Sequence, residues 1–140
     1  MEVKVVDTPE QLEDAFFVRH EVFVKEQNVP PEEEIDEHEN SATHFVLYDG
    51  KEPVGAGRLR ILNGKGKIER ICVLPAYRNK GAGKLIMKAI EEEARRKQLS
   101  KVVLNAQTHA IPFYERLHYK VISDEFMDAG IPHQTMEKML

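Results

Sequence analysis

Cysteine is all but missing from this chain of 140 residues, where Cys72 stands alone. One thiol excludes an internal disulfide framework and any metal site built from several cysteines. Long apolar runs are missing as well. No segment approaches the roughly 20 residues that cross a bilayer, so no membrane partner is expected. The opening Met1-Glu2-Val3-Lys4 lacks the form of a secretory leader, and the expected location is the cytoplasm. There are no repeats or low-complexity linkers. Net positive charge is also absent: a formal −4 argues against nucleic acid as the main partner. What is present is a globular balance, 41% hydrophobic and 31% charged. At 16.1 kDa the length suits a single domain, residues 1–140, able to bury roughly two-thirds of its unfolded surface.

The charge is unevenly spread. Residues 1–39 hold 13 acids and 3 bases, whereas residues 51–88 hold 10 bases against Glu52 and Glu69. A basic middle suggests a small anionic ligand. The segment 32–39 carries six carboxylates and reads as an exposed loop or short helix. A solvated surface is its plainer explanation; a field that draws in a cationic amine is the sharper one.

Val3, Val5 and Val6 suggest a first strand. Thr8-Pro9-Glu10-Gln11 then reads as a helix start, with Thr8 as N-cap, Pro9 at the first helical position and Gln11 closing a capping box. Leu12, Ala15, Phe16, Arg19, Val22 and Phe23 continue that helix, and Pro30-Pro31 ends it. Arg19 interrupts the apolar face, as an ion-paired residue or one that lines a site. Residues 44–48, the turn Asp49-Gly50, residues 54–62, the turn Asn63-Gly64 and residues 67–74 predict three antiparallel strands. Gly55 and Gly57 weaken the middle strand unless something approaches its backbone closely. Residues 83–97 have helical period, with Leu85, Ile86, Ala89, Ile90 and Ala94 apolar and acid-first pairs opposite. Residues 101–106, 119–122 and 133–139 read as strands and 112–116 as a short helix. Strand, helix, strand over 67–106 makes a right-handed crossover, hence one parallel pair. The predicted class is α+β, a mixed, mostly antiparallel sheet flanked by helices.

Between strand and helix stand Arg78-Asn79-Lys80-Gly81-Ala82-Gly83-Lys84. Glycines let the backbone turn tightly, and the first N–H groups of a helix lack partners and carry positive dipole. Beside three cations this is a pyrophosphate site in physical terms. A P-loop needs glycine at 78 and Ser or Thr at 85; a dinucleotide fingerprint needs glycine at 86, where Ile86 stands. Arg-x-x-Gly-x-Gly over 78–83 instead resembles the acetyl-coenzyme A motif of the GNAT superfamily of N-acetyltransferases. Gln107-Thr108-His109-Ala110-Ile111-Pro112-Phe113-Tyr114-Glu115-Arg116 is similar to a second segment of that superfamily, with Gln107 in place of the commoner asparagine. His118 stands where a glycine is usual, which costs roughly 1 kcal/mol if its φ is positive. The run 19–28, with Glu69-Arg70 and Ala106-Gln107, resembles the ElaA-like bacterial branch.

The resemblance implies an acyl-CoA N-acyltransferase fold and an enzyme that passes acetyl from acetyl-coenzyme A directly to an amine of a small molecule or peptide; the residues themselves predict no metal. It implies that Ile71, Cys72 and Val73 pair with pantetheine, and that Arg78, Asn79, Lys80, Gly81, Ala82, Gly83 and Lys84 hold the pyrophosphate, with Gln107 nearby. Tyr114 takes the place of the general acid to the departing thiolate. Glu69 is the candidate general base, its other reading being a salt bridge with Arg58, Arg60 or a lysine. Simple alternation places Glu69 and Ile71 on one strand face, Arg70 and Cys72 on the other. Cys72 as a nucleophile served by His109 is the weaker route, because a strand cysteine between Ile71 and Val73 is usually apolar filling. His38 and His44, near Glu37 and Glu39, lack metal-binding spacing. Members of the superfamily often pair, which makes a homodimer the partner to look for. The other class consistent with these residues is a non-catalytic acyl-coenzyme A binding or sensing module, which needs the loop but neither Tyr114 nor Glu69.

Overall fold

The computed structural model describes residues 1–140. Strand β1 (Glu2–Val5) leads to helix α1 (Pro9–Arg19), which widens into a π-helix (His20–Glu26), followed by the single turn α2 (Pro31–Glu34). A meander of β2 (Thr43–Asp49), β3 (Glu52–Leu62) and β4 (Lys65–Val73) feeds the long helix α3 (Ala82–Arg96). Then come β5 (Lys101–Gln107), α4 (Ile111–Arg116), β6 (Lys120–Val121), β7 (Phe126–Asp128) and β8 (Ile131–Met139). The strands lie in the order β1-β2-β3-β4-β5-β8-β6, with β7 also on β8. Every pair is antiparallel except β4 with β5. The expected mixed sheet and its parallel crossover are therefore present. β7, too short to show a period, had no counterpart in the sequence reading.

Local chemistry explains the helices. Thr8 accepts a hydrogen bond from the Gln11 N–H at 3.2 Å, and the Gln11 side chain accepts from the Asp7 N–H at 2.8 Å, one residue earlier than a capping box requires. On α3 the buried stripe is Ala82, Ile86, Met87, Ile90 and Ala94, while Leu85, expected inside, is exposed. Glu91, expected on the exposed face, is buried and takes hydrogen bonds from the Tyr119 hydroxyl (2.7 Å) and Lys138 Nζ (2.8 Å). Each fully buried isoleucine stabilises the fold by roughly 1.5–3 kcal/mol. Gly55 and Gly57 answer the question posed by the middle strand. A Cβ at Gly55 would stand 2.7 Å from Ile86 Cδ1, and one at Gly57 2.9 Å from Ile90 Cδ1. What approaches closely is helix α3.

The opposite face of the sheet carries α1, the π-helix and α2. Ala15, Val18, Val22, Val46, Ala56 and Cys72 form a small apolar cluster there. Beside it Arg19, Glu34, Glu39, His44 and Arg58 are all buried. The acidic 32–39 segment thus departs from its expected exposure: two of its six carboxylates turn inward, because the arginines beneath compensate them.

Strand β4 does not alternate simply. Arg58 pairs with Glu69 and Ala56 with Cys72, so two β4 residues, Arg70 and Ile71, oppose Gly57 alone. Arg70 has φ +59°, the left-handed conformation of a bulge. The extra residue resets the faces. Glu69, Arg70 and Cys72 turn towards α1, and Ile71 turns to α3, correcting the alternation expected for Glu69 and Ile71.

Candidate active site

The bulge coincides with a parting of strands. β4 and β5 pair only over Gly66–Ile68 and Val102–Leu104, and beyond that point they diverge. Ile71, Cys72 and Val73 therefore have no β5 partner, although the Val73 carbonyl accepts from Arg78, and this open edge suits an extended amide-bearing chain. Tyr114 of α4 lies at this opening. It is buried, edge-on to Phe113 and Tyr119, and its hydroxyl has no hydrogen-bond partner within the protein. Burial, with Cys72 near by, raises its pKa, so the phenol stays protonated at neutral pH.

The loop closes the wide end of the wedge. A short 3₁₀ turn (Pro75–Tyr77) is followed by Asn79 at φ +62° and Gly81 at φ +80°, the residue that caps α3 without any side-chain bond. The first amides of α3 are accordingly free. A Cβ at Gly81 would meet nothing within 4 Å, whereas one at Gly83 would stand 3.0 Å from the Phe113 ring. Gly81 supplies backbone conformation beside open space, and Gly83 lets α4 pack. Lys80 lies over the Tyr77 ring, and neither it nor Lys84 has a carboxylate partner. Free amides, open space and two uncommitted cations fit a diphosphate. Arg78 is placed differently. Its Nε donates to the Val73 carbonyl at 3.0 Å and its terminal nitrogens grip Glu26 at 2.8 and 2.6 Å.

On the α1 side the wedge is floored by charge. Arg19, 1% exposed, binds Glu34 (2.6 Å) and Glu39 (2.7 Å). Arg58 binds Asp36 (2.8 Å), Glu39 (3.1 Å) and Glu69 (2.8 Å), and Arg70 reaches Glu34 and Asp36 at 3.2 Å each. Glu69 also accepts from Arg60 at 2.8 Å and lies 3.5 Å from Lys67 Nζ. Burial alone would raise the Glu69 pKa, but hydrogen bonds from Arg60 and Arg58 hold it at about 2. The salt-bridge reading describes what this side chain does, and a carboxylate so held is a weak proton acceptor. Asp36 is held still lower: burial opposes the ionised form, and the hydrogen bonds from Arg58 and the His38 N–H overcome it.

Cys72 and His109 do not meet as a nucleophile and base. Burial pushes the Cys72 thiol up to about 12, and His109 Nε2 sits 2.7 Å from Gln107 Oε1 at the surface. Gln107 in turn donates to Gln27 Oε1 at 2.8 Å. Glu26 and Gln27, consecutive residues at the end of the π-helix, thus reach both lips of the wedge, and the sequence reading had assigned neither a role. The signals available were their place in the ElaA-like run 19–28 and the acidic-then-amide pair Glu26-Gln27 closing a helix that the prolines terminate. No group of three or more His, Cys, Asp or Glu side chains is arranged to hold a metal. No helix is long and apolar enough to cross a membrane.

Comparison with known proteins reaches the same place. Residues 6–140 match the family model described as an acetyltransferase (GNAT) domain. The chain is 58% identical over 139 residues to the uncharacterized N-acetyltransferase YjcF of Bacillus subtilis, with 99% of each chain covered. Its structure superposes on Escherichia coli ElaA with a TM-score of 0.89 at 25% identity, covering 99% of both chains. An acyl-CoA N-acyltransferase from Pseudomonas aeruginosa gives 0.88 at 25% identity over the same shares.

Proposed function

The chain belongs to the GNAT acetyltransferase family, and on that premise we propose that it moves an acetyl group from acetyl-coenzyme A directly to a small-molecule or peptide amine. One observation carries the reading: the same stretch of β4 that loses its β5 partner points into a loop of free amides, with an unpaired tyrosine hydroxyl between them. Acetyl-coenzyme A, when bound, supplies a thioester whose C–S bond breaks as the N–C bond forms.

The residues divide the work. Ile71, Cys72 and Val73 present backbone groups to the pantetheine amides, and an N–H near Cys72 or Val73 meets the developing oxyanion. Asn79, Lys80, Gly81, Ala82, Gly83 and Lys84 hold the diphosphate, with Arg78 in reach and Gln107 at the far lip. Tyr114 is the acid beside sulfur. Its raised pKa places it above a thiol near about 8.5, so complete proton transfer runs uphill and a hydrogen bond to the forming thiolate does most of the stabilising. Glu69, the candidate base, is the carboxylate on the acceptor side; held by Arg58 and Arg60, its part is to order the water that carries away the amine's proton rather than to keep that proton itself. An alkylammonium loses its proton near about 10, far above Glu69, so the pH–rate profile should follow the amine and rise through pH 7–9. The acceptor arrives as a cation, met by a floor whose carboxylates are already paired.

Mixing the protein with acetyl-coenzyme A and a panel of amines while following free thiol tests the proposal. Thiol release that depends on an amine is the expected result. Tight binding without release across a wide panel would identify a sensing module instead. Tyr114→Phe should lower kcat roughly 10-fold or more while leaving coenzyme A affinity within about twofold; unchanged kcat would remove Tyr114 from the mechanism.

A further inference from the structure

The Arg78–Glu26 clasp stands out from every other ion pair around the wedge. The others floor the acceptor side, where they are largely buried; this one is open to solvent, with Arg78 37% and Glu26 40% exposed. It also sits on the loop itself. Arg78 opens the Arg-x-x-Gly-x-Gly turn, and all the donors it uses are spent at once: Nε on the Val73 carbonyl, the two terminal nitrogens on the two Glu26 oxygens. Among the loop's three cations it alone has a carboxylate partner. Glu26 has no second cation, and its hydrogen bonds from Arg78 lower its pKa, so it is an anion throughout the neutral range.

Two oxygens facing a guanidinium fork are also what a diphosphate offers. We propose that Glu26 is a positioning residue that occupies Arg78 as an internal stand-in for the diphosphate of the coenzyme, and is displaced when the coenzyme enters. The inference rests on the reading of residues 78–84 as the diphosphate cradle. It gives Glu26 a negative effect on coenzyme affinity, because binding must first break the clasp. It also ties coenzyme entry to the π-helix, whose next residue, Gln27, bridges to Gln107 on the opposite lip. An ion pair this exposed is weak enough to exchange, and its effect should fade with salt.

The test is calorimetric titration of coenzyme A into the wild type, Glu26→Gln and Glu26→Ala, with thermal melting of each. Both variants should bind coenzyme A about two- to fivefold more tightly than wild type at low salt, the size of an exposed ion pair. The gain should shrink at 0.5 M salt (about a 4 Å screening length) and vanish when Arg78→Gln is combined with either. A structural role for Glu26 predicts the opposite sign, weaker binding alongside a lower melting temperature. Variants that bind equally or more weakly overturn the proposal while leaving the cradle in place. A wild type that binds no coenzyme A overturns the cradle, and the proposal with it.

Discussion

The two faces of the sheet are held by different forces. Under α3 and α4 lies a continuous apolar core of 16 buried residues, including Phe45, Ile86, Ile90 and Met136, in which chain register is set by volume. Under α1 and α2 the apolar cluster has only six members, and Arg19, Glu34, Glu39 and Arg58 complete the packing. The first face resists a change of shape, the second a change of charge. That division suits the transfer proposed above, in which one side of the cleft would receive an ammonium. A floor with its charges paired in advance would keep its form as such a charge arrived and left.

The largest expected break in this contrast is Arg19→Met. It leaves Glu34 and Glu39 buried with one cation fewer, and should cost about 3–5 kcal/mol in denaturant unfolding. A loss below about 1 kcal/mol would show that the α1 face is held by its apolar cluster after all. Acid comes next. Burial would raise Glu39, but hydrogen bonding from Arg19 holds it at about 2, as Glu69 is held by Arg60 and Arg58, both against an ordinary 4.5. Folded pKa values below the unfolded ones mean stability that is fully present above about pH 5 and drains away as pH falls towards 2. Melting temperature followed from pH 6 to 3 should fall, and a flat profile would deny the pairs their role. The smallest effect belongs to His118, which sits at φ +75° between α4 and β6. His118→Gly should raise stability by about 1 kcal/mol, by relieving the left-handed backbone.

The contrast between the faces also decides what the amino-acid sequence made legible. On the α3 side, hydrophobic period locates the helix and both parallel strands to within a residue or two. Gly81 marks the turn because an unhindered backbone is a local property, whereas Gly83 answers to the Phe113 ring of α4. The α1 side hides its logic. Arg19 reads as an interruption and residues 32–39 as surface, since no periodicity tells a carboxylate that it will find an arginine across the sheet. Arg70 escapes for a related reason: a bulge follows from how β3 and β4 register, which neither strand announces alone. Tyr114 was identified by family likeness and stands at the opening, whereas Glu26 and Gln27 matter only through partners 52 and 80 positions away.

Cys72 has a practical corollary. It is the chain's one sulfhydryl, 5% exposed, and burial pushes it up to about 12, so at pH 8 it stays almost wholly in the unreactive thiol form. A colorimetric disulfide reagent added to a running assay will therefore be consumed by liberated coenzyme and scarcely by the enzyme, and even the first turnover can be counted against a silent background.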